Sequence, residues 1–283
     1  MTSYIDSHVH FWDPRRLRYD WLETVPAIHR AYRPPDLQEA SRGLDLEAVI
    51  FVEADCHPHQ ALDEVRWVSE LAQEEPRIRG IVAHAPLEKG ERVRGHLLAL
   101  RDFALVKGVR RLIQSEPLGF ARDPDFIWGV KMLPEYGFSF DICVYHRQMD
   151  DVLYLVESCP EVSFVLDHVG KPGIREHLWE PWASQIRELA AHPRVYCKLS
   201  GMVTEADPSH WTPQDLRPYM DHVLECFGPD RLMFGSDWPV VTLAATYRRW
   251  FQVVQDLLTS LDPGDRRKIL RDNAARFYRL ETA

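Results

Sequence analysis

Residues 4–16 read YIDSHVHFWDPRR, and this stretch decides between two folds that the rest of the chain allows. The apolar and β-branched run Tyr4–His10 predicts a first strand. An open doubly wound sheet usually places a glycine-rich phosphate loop directly after that strand. The residues that follow here contain no glycine. The stretch therefore favours a closed barrel over an open sheet.

The same kind of run recurs along the chain, each time followed by a segment with helical periodicity, as in Leu62–Leu71 and Tyr219–Phe227. Eight runs are present, at Tyr4–His10, Ala48–Glu53, Arg79–His84, Val106–Ile113, Phe138–Val144, Val162–His168, Arg194–Leu199 and Arg231–Ser236. They begin about 32 residues apart on average, which is the length of one βα unit. We therefore predict an α/β fold, a TIM (β/α)8 barrel that residues 1–283 form as a single domain.

Composition excludes several classes of protein. The 283 residues carry 34 Lys and Arg against 43 Asp and Glu, and a net charge of −9 disfavours a nucleic-acid partner. No apolar run approaches the roughly 18 residues that a membrane helix needs, and the N-terminus does not have the pattern of a signal peptide. The five cysteines are dispersed without a C-x-x-C pair. We expect a reduced cytoplasmic protein with no membrane partner.

Candidate chemical groups follow the first and last predicted strands. His8 and His10 occupy alternate positions, so their rings point the same way and are suited to bind one divalent cation. Asp237 follows strand 8, which neighbours strand 1 in a closed barrel. We expect Asp237 to face the two histidines as a metal ligand, as a proton acceptor, or as both. The alternative is a helix N-cap, because Trp238 and Pro239 come next.

Histidines gather at the same predicted end of the barrel. Five of the thirteen lie at or just beyond the ends of predicted strands: His8, His10, His84, His146 and His168. Active sites of parallel barrels lie at the carboxyl ends of the strands, so this clustering indicates an enzyme. Asp167, beside His168, belongs either to the site or to a cap of the following loop.

Strand 4 and nearby aromatic residues supply predicted substrate contacts. Alternation places Arg110 and Gln114 on one face, which we predict to be the interior. A buried arginine needs an anionic or carbonyl partner, so Arg110 binds either the substrate or a barrel carboxylate such as Glu53. Trp12 and Trp238 are predicted to form a pocket wall, with core packing as the alternative.

Four motifs in order, IDSHVHFWD, FVLDHVGKP, VYCKLSG and RLMFGSDWP, resemble the amidohydrolase superfamily. The resemblance covers roughly residues 4–278 and is closest to the branch that contains sugar lactonases and pyrone-dicarboxylate lactonase. It implies a distorted TIM barrel in which His8 and His10 are metal ligands. It also implies that Asp237 is both a ligand and the general base, and that His168 assists the chemistry.

The resemblance implies one divalent metal ion, with zinc preferred, and His146 as a less closely matched fourth ligand. Members with two metals carry a lysine late in strand 4, whereas here Lys107 lies at the other end of that strand. Some lactonases of this branch work without metal, so a metal-independent reaction stays open. The implied activity is attack of an activated water on an aldonolactone such as L-fucono- or L-rhamnono-lactone.

Two other functions remain open on the sequence. The first is a metal-dependent decarboxylase of an aromatic or muconate acid, because a sister branch has similar motifs in its first and last strands. The second is a non-catalytic barrel that binds a sugar acid, although the histidines and aspartate at one barrel mouth argue against it. The chain contains no G-x-S-x-G motif, which disfavours a serine nucleophile.

Overall fold

The computed structural model describes residues 3–280, which form eight parallel strands with helices between them. The strands are β1 (Tyr4–Val9), β2 (Leu46–Val52), β3 (Ile78–His84), β4 (Val106–Arg110), β5 (Ser139–Ile142), β6 (Phe164–Leu166), β7 (Val195–Leu199) and β8 (Leu232–Phe234). Consecutive strands pair in the order β1 to β8. The sheet order therefore follows the chain order, as a TIM barrel requires.

The helices cover the outside of the sheet. They are α1 (Pro34–Ala40), α2 (Ala61–Glu74), α3 (Arg94–Arg101), α4 (Pro124–Lys131), α5 (Met149–Ser158), α6 (Trp182–Ala190), α7 (Met202–Glu205), α8 (Pro213–Phe227), α9 (Tyr247–Leu257), α10 (Pro263–Arg267) and α11 (Asn273–Phe277). The two amphipathic segments singled out in the sequence lie within α2 and α8. Among the described residues, no helix is long and apolar enough to cross a membrane.

The barrel closes through the residues that follow β8. Val9 and Trp238 form a parallel bridge. The Asp237 N–H donates to the His8 carbonyl at 2.9 Å, and the His10 N–H donates to the Trp238 carbonyl at 2.8 Å. Closure confirms the barrel over the open sheet. It also fixes the backbone of Asp237 against that of the two histidines.

The interior is apolar towards one end of the barrel. A buried cluster of Ile5, Ala48, Ile50, Val52, Val82, Val165 and Met233 packs against the C-terminal residues Ala274, Phe277 and Tyr278. Strict alternation from Ile5 would turn His8 away from this interior. The pairing of β1 with β2 is irregular between Asp6 and Val9, and this irregularity allows Ile5 and His8 both to face inward.

Candidate active site

Three predicted metal ligands converge at the carboxyl ends of β1 and β8. The Nε2 atoms of His8 and His10 lie 3.2 Å apart. Asp237 Oδ1 lies 3.3 Å from His10 Nε2 and 3.7 Å from His8 Nε2. All three residues are buried. The side chain of Asp237 therefore faces the two imidazoles and makes no helix-capping hydrogen bond.

The partners of the two imidazoles fit a metal site. His10 Nδ1 lies 2.7 Å from the Val52 carbonyl oxygen, so Nδ1 carries the proton and the Nε2 lone pair is free. Burial lowers the pKa of His8 well below its ordinary value, although Asp167 opposes this, so the His8 ring is neutral near neutral pH. Neutral imidazole nitrogens with one carboxylate oxygen are a donor set that suits zinc.

His168 joins this cluster from the turn after β6. Its Nε2 lies 4.0 Å from Asp237 Oδ1, and ligand atoms of His8, His168 and Asp237 all lie within 4.8 Å of one another. Ser200 Oγ accepts from the His168 backbone N–H and lies 2.9 Å from His168 Nδ1. Because the described residues show no other acceptor for the buried Ser200 hydroxyl, we assign the hydroxyl as the donor to Nδ1. This assignment from the hydrogen-bond partners leaves the ring proton on Nε2, which faces Asp237.

The surroundings of Asp237 keep it ionised. Burial raises the pKa of this carboxyl, but the electrostatic influence of the nearby His168 and His10 rings and of the Lys171 ammonium outweighs burial and holds the pKa below its usual value. An ionised carboxylate in a water-accessible cavity can accept a proton from an attacking water. The geometry thus places a proton acceptor, Asp237, beside imidazole nitrogens that are suited to bind a metal ion.

Charged side chains fill the barrel beneath the histidines. We refer to them as the interior ion network: Glu53, Arg110, Asp141, Asp167 and Lys198. Arg110 Nε lies 2.6 Å from Glu53 Oε1, and Arg110 Nη1 lies 3.2 Å from Asp167 Oδ2. Lys198 Nζ lies 2.6 Å from Asp141 Oδ2 and 2.9 Å from Asp167 Oδ1. Arg110 thus forms the ion pair with Glu53 that was the alternative to substrate binding in the sequence analysis.

The interior ion network also orients a candidate metal ligand. Asp167 Oδ1 lies 3.3 Å from His8 Nδ1, the ring nitrogen that faces away from His10. A carboxylate partner of this kind fixes the orientation of a ligand imidazole and raises its basicity. Of the two alternatives for Asp167, the structure therefore supports membership of the site.

A cavity of about 190 Å³ opens above the cluster. Its lining includes the predicted residues Trp12, Gln114, Arg110, His10, His168 and Asp237. Trp238 is not on this wall. It is 2% exposed and packs edge-on against Phe11 and Tyr32, so it packs in the core, which was the alternative to a position on the pocket wall. Adjacent residues of an extended segment point to opposite sides, so Trp238 turns away from the cavity that Asp237 faces.

His146 does not reach the cluster. The fifth strand ends at Ile142, two residues before its predicted end, and His146 lies in the turn that follows. Its Nδ1 is 3.0 Å from the carbonyl oxygen of Lys171. Among the described residues, no group of three ligand atoms within 4.8 Å includes His146. The imidazole that lies beside His8 and Asp237 is that of His168.

The lining residues that the strand ends do not predict include Trp21, Asp55 and Lys171. Trp21 comes from the long loop between β1 and α1. Asp55 follows β2 with a left-handed φ of 54°. Lys171 lies three residues after His168 in the motif FVLDHVGKP, and this position in the motif is the sequence feature that could have indicated a lining residue. For the other two, the sequence does not indicate which way the loops turn.

A histidine–aspartate cluster at the carboxyl end of a parallel barrel lies where such barrels place their active sites, and it can hold a metal ion and activate water. The chain belongs to the amidohydrolase family, whose model matches residues 5–280. The predicted family is therefore confirmed.

Characterised relatives and solved structures support this assignment. L-fucono-1,5-lactonase of Burkholderia multivorans is 36% identical over 98% of this chain and 96% of that protein. L-rhamnono-gamma-lactonase of Scheffersomyces stipitis is 26% identical over 99% of this chain and 100% of that protein. A crystal structure of an amidohydrolase from Burkholderia multivorans with bound zinc superposes with a TM-score of 0.90 at 34% identity, covering 99% and 100% of the two chains.

Proposed function

We propose that the protein is a lactonase that opens the cyclic ester of a sugar acid by adding water to its carbonyl carbon. The observation that carries the proposal is the position of Asp237 Oδ1, which lies 3.3–4.0 Å from the Nε2 atoms of His8, His10 and His168 beside a small cavity. The names of the two lactonase relatives support the same reaction.

The side chains of this protein supply the proton transfers. Asp237 accepts a proton from water as the water oxygen bonds to the carbonyl carbon. The Nε2–H of His168 donates to the oxygen that becomes negatively charged. The carbon–oxygen bond of the ring then breaks, and the proton held by Asp237 passes to the leaving alkoxide. The product is an open-chain hydroxy acid.

We propose that His8, His10 and Asp237 hold one divalent ion, with zinc as the preferred ion. Their two imidazole Nε2 atoms, 3.2 Å apart, and the Asp237 carboxylate oxygen support this assignment, as does the zinc in the related crystal structure. A bound ion polarises a carbonyl group and lowers the pKa of water.

The cavity favours a small neutral polyol as the substrate. Its volume of about 190 Å³ is below the roughly 300–1,000 Å³ that drug-sized ligands fill. Trp12 and Trp21 offer aromatic faces, and Asp55 and Gln114 offer acceptors for hydroxyl groups. A planar dicarboxylate would need several free arginines, whereas Arg110 is held by Glu53 and Asp167. We therefore rank aldonolactones above pyrone dicarboxylates, and both above aromatic acids.

Acid release followed with a pH indicator tests the proposal. L-Fucono- and L-rhamnono-lactones are compared with a planar dicarboxylate lactone and with an aromatic acid, for which loss of carbon dioxide is measured. Asp237→Asn keeps the shape of the side chain and removes the proton acceptor, so kcat should fall by on the order of 10²–10⁴. A higher kcat/KM for the dicarboxylate, or activity of Asp237→Asn within a few-fold of the unaltered protein, would contradict the proposal.

A further inference from the structure

Lys171 places an ammonium group in the wall of the cavity. Its Nζ donates to Gln114 Oε1 at 2.6 Å and lies 5.0 Å from the ring centroid of Tyr145. Its nearest carboxylate oxygen is Glu205 Oε1, at 3.9 Å. An ammonium has three protons to donate, and Gln114 is the hydrogen-bond acceptor that the described residues offer it. The group is thus positioned without a short ion pair.

An unusual backbone turn places Lys171 in the cavity wall beside His168. The four residues His168, Val169, Gly170 and Lys171 all have left-handed φ angles, of 55°, 48°, 74° and 46°. Residues other than glycine adopt this conformation only when their surroundings hold them there, and such residues cluster at functional sites. The turn is closed by the Lys171 N–H, which donates to the His168 carbonyl at 2.8 Å. It brings two chemically active side chains to one cavity.

The other cations of this part of the barrel are already paired. Arg110 also lines the cavity, but it donates to the Glu53 side chain and carbonyl, each at 2.6 Å, and contacts Asp167. Lys198 is completely buried between Asp141 and Asp167. Among the described lining residues, Lys171 is therefore the cation that remains available to a ligand.

We propose that Lys171 is a catalytic residue whose ammonium stabilises the negative charge that lactone hydrolysis creates. This inference rests on the proposed function. The substrate lactone is neutral, whereas the tetrahedral intermediate is an oxyanion and the product is a carboxylate. Lys171 stays protonated throughout, and the transferred proton is the one that Asp237 takes from water. A fixed cation therefore binds the transition state and product more tightly than it binds the substrate.

Lys171→Met tests this assignment, with the exposed Lys131→Met on α4 as a matched control. For Lys171→Met, kcat should fall by about 10²–10³, as expected for loss of one donor to an oxyanion, while KM for the neutral lactone changes only a few-fold. Inhibition by the ring-opened acid should weaken by at least about tenfold and lose its dependence on salt. Lys171→Arg keeps the charge and should recover part of both effects. Lys131→Met should behave as the unaltered protein.

The outcomes separate this inference from the proposed function. Unaltered protein that opens no lactone refutes the function and the inference together. Unaltered protein that opens lactones refutes the inference alone if Lys171→Met keeps the same kcat and product inhibition. If Lys171→Met does not fold, Lys171→Arg and Lys171→Gln decide. Equal product inhibition in these two folded variants shows that the charge has no role.

Discussion

Replacing Arg110 by methionine should destabilise the fold more than it weakens substrate binding. The substitution removes contacts to Glu53 at 2.6 Å and to Asp167 at 3.2 Å, leaving two buried carboxylates without this partner. Breaking a buried ion pair in this way costs about 3–5 kcal/mol. In domains of 150–250 residues, each kcal/mol lowers Tm by about 2–4 °C, so we expect a decrease of roughly 6–20 °C, nearer the lower value for this longer chain.

Thermal denaturation followed by circular dichroism measures the effect, and Arg111→Met is the matched control. Arg111 is the next residue along the chain, and its carboxylate partners Glu88 and Glu116 are 34% and 28% exposed. Water can replace this arginine, so the control should lose only about 1 kcal/mol. Adding Glu53→Gln to Arg110→Met should recover part of the stability, because the amide removes one uncompensated charge.

The reasoning would be refuted if Arg110→Met had a Tm within about 2 °C of that of the unaltered protein and a KM raised by about tenfold or more. The guanidinium would then serve the substrate, as the alternation of strand 4 predicts, and its pairing with Glu53 would add little to stability. Equal losses of Tm in Arg110→Met and Arg111→Met would also count against a special role for the buried pair.

Three further predictions follow from the contacts of His168 and the ligand cluster. Gly201 has a left-handed φ of +62°, and a Cβ added there would lie 2.5 Å from His168 Nδ1. Gly201→Ala should therefore lower kcat by about tenfold or more in an intact barrel. An unchanged kcat would show that the position of the imidazole is unimportant. Ser200→Ala removes the hydroxyl that sets the His168 tautomer and should lower kcat about tenfold with little change in KM, whereas a change in KM alone would contradict this role. Removal of divalent ions with a chelator should lower both Tm and activity, and added zinc should restore both. Full activity and an unchanged Tm after chelation would exclude a bound ion at His8, His10 and Asp237.

The barrel could be predicted from the sequence because the repeated runs fix the number, order and spacing of the strands. The absence of glycine after Tyr4–His10 correctly favoured closure, and closure brings the strand-end residues His10 and Asp237 together. Boundaries were less accurate where a strand ends early. The fifth strand stops at Ile142 instead of Val144, and His146 lies in the turn that follows, with its Nδ1 3.0 Å from the Lys171 carbonyl oxygen.

The partners of the predicted side chains were harder to predict than their positions. Alternation placed Arg110 inside the barrel but left the choice open between the substrate and a carboxylate such as Glu53, because Glu53 lies 57 residues away and no local pattern joins the two. Local backbone conformation is a second source of error. Asp237 faces the cluster while its neighbour Trp238 packs into the core, as alternation gives for adjacent residues, whereas the left-handed turn at 168–171 brings Lys171 into a cavity that strand periodicity does not assign to it.

The interior ion network gives an electrostatic reason for a cation at the ligand cluster that does not depend on any relative. Its three carboxylates, Glu53, Asp141 and Asp167, exceed its two cations, Arg110 and Lys198, by one negative charge. Asp237 adds a second negative charge, and the nearby Lys171 ammonium does not cancel it alone because the Glu205 carboxylate lies 3.9 Å from Lys171 Nζ. Excess buried charge is unfavourable unless it is neutralised. Protonation of Asp237 would remove one of these two negative charges, but it would also remove the proposed base. A divalent cation neutralises both negative charges and leaves the Asp237 carboxylate ionised.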